Sequence, residues 1–82
     1  MGKKYPLLDQ TQIERILKNL NFSPKRQKGS HTQWEGYTKD KRRIVTVDNL
    51  KSKKEKYGQE LLKKMIEQSG LSKQEFYSYL TE

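Results

Sequence analysis

The chain has 82 residues, of which 30% are hydrophobic and 34% charged, and 18 Lys or Arg against 10 Asp or Glu leave a formal net charge of +8. That is room for a single domain over residues 1–82 with a small core, and scaffolds of this size hold roughly 3–5 kcal/mol of stability from one core. With no cysteine and one histidine, a disulfide framework, a thiolate nucleophile and a Cys-containing zinc site are excluded, and no metal or other cofactor is expected.

The amino terminus, Met1-Gly2-Lys3-Lys4-Tyr5-Pro6-Leu7-Leu8, carries lysines but no apolar stretch to follow them, and no run approaches the ~18 apolar residues of a membrane span. The expectation is a soluble, cytoplasmic protein without a membrane partner. Gly2 does not signal myristoylation, because Pro6 stands where that pattern needs Ser or Thr.

Thr11-Gln12-Ile13-Glu14 reads as a Ser/Thr-x-x-Glu capping box and predicts the start of a helix. Ile13, Ile16, Leu17 and Leu20 then form one apolar stripe until Asn21 and Pro24 interrupt it, with Glu14, Arg15 and Lys18 on the wet face. Extended pieces follow at 22–27, 31–37 and 43–48, with Lys39-Asp40-Lys41-Arg42 as a polar turn between the last two. Ile44-Val45-Thr46-Val47 is the strongest strand signal, and period-two alternation puts Val45 and Val47 on one covered face. Residues 49–56 read as an exposed, charged loop. Leu61, Leu62, Met65 and Ile66 make a second helical stripe closed by Gly70, and Ser72-Lys73-Gln74-Glu75 opens a short helix with Phe76, Tyr79 and Leu80 inward. The predicted class is α+β in the order α-β-β-β-α plus a short C-terminal helix, a three-stranded antiparallel sheet with helices on one face and the other face open.

Charge is concentrated: residues 25–56 hold 11 Lys or Arg against four acids, net +7, and the flanks together only +1. Such a segment attracts polyanions and releases their counterions on binding, although a lysine-rich face also serves simply as a solvated surface. Trp34, Tyr37 and Tyr57 are interleaved with it and fit either base stacking or a core. Within it, residues 26–31 read Arg-Gln-Lys-Gly-Ser-His and contain the sole histidine, His31. An unperturbed imidazole titrates at about 6.5, near neutral pH. Trp34 lies three residues on, so in a regular strand it packs towards the helices while His31 opens to solvent.

Leu20-Asn21-Phe22 entering the first strand, Arg26 to His31 between strands one and two, Val45-Thr46-Val47 in strand three, and Gln68-Ser69-Gly70-Leu71-Ser72 before Glu75-Phe76 together resemble the HicA family of bacterial toxins, over essentially the whole chain. The resemblance implies a fold like a double-stranded-RNA-binding domain and a metal-independent endoribonuclease acting on mRNA as an mRNA interferase. It also implies a HicB-like antitoxin partner, and a catalytic role for the histidine of Gly-Ser-His, here His31. Many members have a proline- and glycine-containing loop after the third strand. This chain has Asp48 to Lys56 instead, so that loop's contacts do not carry over.

The chemistry is also open to argument from the residues. Without a metal, RNA cleavage runs by attack of the ribose 2′-hydroxyl on the adjacent phosphate, and a neutral imidazole can take that proton, help worth about 10²–10⁴ in rate. Arg26, Lys28 and Arg43 are the candidate RNA-binding cations. Gly29 and Ser30 fit either a close backbone approach to phosphate or a simple turn. A lysine, a tyrosine or water must protonate the leaving oxygen. Two other readings stay open, a non-catalytic RNA-binding module and a protein-docking domain, and the sequence is silent on oligomeric state.

Overall fold

The computed structural model describes residues 5–52 and 54–81. The order is α1 (Gln10–Asn19), β1 (Ser23–Lys28), β2 (His31–Thr38), β3 (Lys41–Asp48), α2 (Gln59–Ser69) and α3 (Lys73–Ser78), closed by a 3₁₀ turn (Tyr79–Thr81). This is the α+β arrangement read from periodicity, with the strands forming one antiparallel sheet in the order β1-β2-β3.

Helix α1 starts earlier than the Thr11 capping box implied. Asp9 is the N-cap: its carboxylate accepts the Gln12 N–H at 2.8 Å, and the Gln12 side-chain oxygen accepts the Asp9 N–H at 3.0 Å. The reason is tertiary. Leu8 is fully buried, its carbonyl accepts the Tyr57 N–H, and Asp9 bridges to Lys56, so the chain is anchored just ahead of an aspartate that caps as well as threonine. Glu14 accepts instead from the Gln10 side chain.

Both hairpins turn on two-residue loops. Gly29 has φ +60° at the first loop position, the dihedral a glycine supplies there without steric penalty. Lys39 and Asp40 both have φ above zero, the signature of a type I′ turn, which tightens the expected four-residue turn by extending β3 back to Lys41.

Alternation along the paired strands sets the core. Trp34, Val45 and Val47 point to the helix side and pack with Ile13, Ile16, Leu17, Leu62, Met65, Ile66 and Phe76, all buried. Gly36 lies on the same side under the ring of Phe22, where a Cβ would stand 2.3 Å from a ring carbon. At the far end of the sheet, the Thr38 hydroxyl donates to the Ser69 carbonyl at 2.5 Å, satisfying one of the orphan acceptors at the end of α2. Gly70 then ends the helix at φ +77°.

The segment after β3 is less exposed than expected. Leu50 packs against the core, and its N–H donates to the Gln10 side chain at 2.7 Å. Tyr57 is buried and its hydroxyl donates to the Asp48 carbonyl at 2.5 Å. Burial, followed by the nearby Glu14, Asp48 and Asp9 carboxylates, raises the Tyr57 pKa well above the ordinary value. The charged Lys51, Lys54, Glu55 and Lys56 remain outside, as does Ser52.

The Gly36→Ala variant is expected to lose about 1–3 kcal/mol, because the Phe22 ring must move to admit a methyl group; urea denaturation should show a lower midpoint at an unchanged slope. The Glu75 carboxyl is held below its ordinary 4.5, first by the Ser72 backbone amide and next by Lys39. A folded-state value below the unfolded one contributes stability that is present above about 4.5 and is lost as the pH falls through the folded value. In the Glu75→Gln variant, the acid limb of the stability–pH curve should flatten accordingly.

Candidate active site

On the sheet face away from the helices, the register builds two cross-strand rows. Lys28 pairs with His31 and His31 with Asp48; one step along, Arg26 pairs with Gln33 and Gln33 with Thr46. Paired residues project to one face of a sheet, so these side chains form a single surface. Within it, His31 Nε2 lies 2.8 Å from Asp48 Oδ1, with the imidazole 54% and the carboxylate 33% exposed. The pair therefore stays open to solvent at the mouth of the hairpin.

The backbone around this pair is tied down. The Asn49 N–H donates to the Ser30 carbonyl at 2.6 Å, continuing the ladder past His31 and Asp48. The Asn49 amide is held by Gln10 of α1 and by Thr32. With Tyr57 on the Asp48 carbonyl, both ends of the carboxylate's residue are fixed, so the imidazole meets a positioned partner. A carboxylate accepting from Nε2–H selects the tautomer in which Nδ1 is the free acceptor, the arrangement a general base requires.

Beside the pair is an open cleft of about 620 Å³ lined by Arg26, Lys28, Gly29, Ser30 and His31, with Gln33 and Thr46 as its floor. Five of the six residues singled out from sequence thus come together. All six residues of β1 are exposed, so its cations stand clear of the core. A bulge between Pro24 and Arg26 re-aims the strand there. The acidic Glu35 on the same face is neutralised by a close ion pair with Arg42, which lowers its pKa and raises that of Arg42.

Arg43 does not join them. It alternates with Val45 and Val47 onto the helix side, and its guanidinium lies against Gly70, where a Cβ would stand 2.5 Å from it. A cation at a helix C-terminus is favourably placed against the macrodipole, and Nε is buried with no hydrogen-bond partner among the described residues. Charge counting along the sequence is blind to this, because strand parity decides the face. Asp48 is the residue that sequence reasoning missed. Its signal was parity as well: it ends β3 one alternation step beyond Thr46, opposite the first residue of β2.

Fold and site define a small basic α+β domain that presents a histidine–carboxylate pair on an open sheet face beside a cationic cleft. The family model described as the HicA toxin of bacterial toxin–antitoxin systems matches residues 11–71. The chain belongs to that family and is a toxin of the toxin–antitoxin class; the matched stretch runs from α1 to the end of α2 and contains every site residue named above. Neither the curated proteins nor the solved structures give a match to it. No helix among the described residues is long and apolar enough to cross a membrane.

The placement separates the arginines experimentally. Arg26→Ala and Lys28→Ala should each weaken binding of single-stranded RNA and reduce the slope of log affinity against log salt by roughly one. Arg43→Ala should leave both unchanged while lowering the melting temperature.

Proposed function

We propose that the chain is an endoribonuclease that cleaves mRNA in the cytoplasm, with His31 as general base, and that a HicB-like antitoxin neutralises it by covering this face. The observation that carries the reading is the exposed His31–Asp48 pair, 2.8 Å apart, at the edge of the cationic cleft.

In this mechanism RNA lies along the hairpin with its phosphates against Arg26, Lys28 and the Gly29-Ser30 turn. Nδ1 of His31 takes the proton of a ribose 2′-hydroxyl, and the freed oxygen attacks the adjacent phosphorus. The bond from phosphorus to the 5′-oxygen breaks, which leaves a 2′,3′-cyclic phosphate on one fragment and a 5′-hydroxyl on the other. Asp48 stabilises the imidazolium formed in the step. Lys28, directly across the ladder from His31, offsets charge developing on the phosphoryl oxygens. With one imidazole in the chain, the proton for the leaving oxygen comes from water or from a cation such as Lys28. Electrostatic complementarity favours an antitoxin surface that brings acidic groups to the same cations.

Induced expression of wild type, His31→Ala and Asp48→Asn, with growth and total mRNA followed in parallel, tests this reading. The expected result is arrest and mRNA loss with wild type only. On purified protein, cleavage should fall by about 10² or more for His31→Ala and by about tenfold or more for Asp48→Asn, with RNA affinity retained. Equal behaviour of wild type and His31→Ala, whether both toxic or both harmless, would favour a non-catalytic RNA-binding module.

A further inference from the structure

His31 and Asp48 also form one wall of a second cavity, of about 270 Å³, which opens between the free edge of β3 and helix α2. Its other wall is a single stripe of α2, Leu61, Lys64, Met65 and Gln68, spaced at i, i+3, i+4 and i+7. Leu61 was expected in the core, yet it is 38% exposed, because it faces this cavity. Met65 is buried beneath and supplies an adaptable apolar floor. The volume lies just below the roughly 300 Å³ at which clefts for whole small molecules begin, a size for one flat ring system.

The two polar side chains on the helix wall of the cavity have a fixed sense. The Gln68 side-chain oxygen accepts the Thr46 N–H at 3.0 Å; an amide nitrogen cannot accept that bond, so Nε2 and its hydrogens are the atoms left for a ligand. Lys64 adds only donors. A slot with an apolar floor and donors on its helix wall, whose opposite wall carries His31 and Asp48, fits an unstacked nucleobase that offers acceptors on the edge facing α2.

We infer that this cavity is a nucleobase subsite, in which the base next to the scissile phosphate rests on Leu61 and Met65 and is read by Gln68 and Lys64. The subsite prefers a keto base, guanine or uracil, over adenine. Guanine presents adjacent acceptors at N7 and O6, whereas adenine places an amino donor beside its N7 acceptor. The inference rests on the ribonuclease reading above, since the polymer in the cationic cleft is what delivers the base across His31.

The test is cleavage of a single-stranded RNA pool randomised around its centre, with the fragment ends sequenced to read the bases flanking each cut. Wild type is expected to enrich guanine or uracil over adenine by about tenfold on one side of the cut. Gln68→Glu keeps the acceptor for Thr46 but replaces the donor amide nitrogen by a second acceptor oxygen, so the preference should move towards the amino bases adenine and cytosine. Lys64→Gln, at an exposed position, should bring the ratio closer to one without loss of fold. An unchanged base preference in both variants, with cleavage intact and lost only in His31→Ala, would overturn the subsite and leave the nuclease standing. Absence of any His31-dependent cleavage by wild type would overturn both.

Discussion

The pairing of β2 with β3 is the constraint on which the rest of this molecule depends. Side chains alternate with a period of two, so one register places Trp34, Val45 and Val47 under the helices and, by the same stroke, His31 against Asp48 on the opposite face. A slip of one residue would bury the histidine row and expose the core row. The type I′ turn at Lys39-Asp40 holds that register from one end. The Asn49–Ser30 hydrogen bond holds it from the other, close to the site itself. Stability and chemistry are therefore two readings of one ladder.

Charge is arranged around the same division. The chain cannot cover all of its sheet with so few apolar residues, and β1 is left exposed along its whole length. That strand carries Pro24, Lys25, Arg26 and Lys28, residues that discourage edge-to-edge pairing with another sheet and leave its cations clear of the core. The other two arginines of the sheet have different tasks: Arg42 neutralises Glu35, and Arg43 closes over Gly70 at the end of α2. A high net charge is thus partitioned among an open cationic strand, local neutralisation and helix termination.

Helix α2 links the two halves. Leu62, Met65 and Ile66 bury its inner face, Ser69 and Gly70 dock its end on the sheet, and Gln68 caps the edge amide of Thr46. Its remaining stripe, Leu61 and Lys64, completes a cavity against His31. A helix needed for the core thereby becomes a wall of the cavity beside the His31–Asp48 pair, so the cavity lining and the core packing depend on neighbouring residues of one element.

The sequence by itself determined the local elements. The Ser72–Glu75 capping box, the apolar stripes of α1 and α2, the β-branched run of β3 and the glycine turn before His31 all act over a few neighbouring residues, and the family resemblance marked His31. Whatever depends on which residues meet across the sheet was decided only by the tertiary structure. Asp48 became the partner of His31, Arg43 was turned away from the cleft, the start of α1 moved back to Asp9, and Leu50 and Tyr57 were drawn into the core. The physical reason is range. Periodicity and capping are local properties of the backbone, whereas strand register, the sign of a face and the anchoring of a loop arise from hydrogen bonds and packing between segments far apart in the chain.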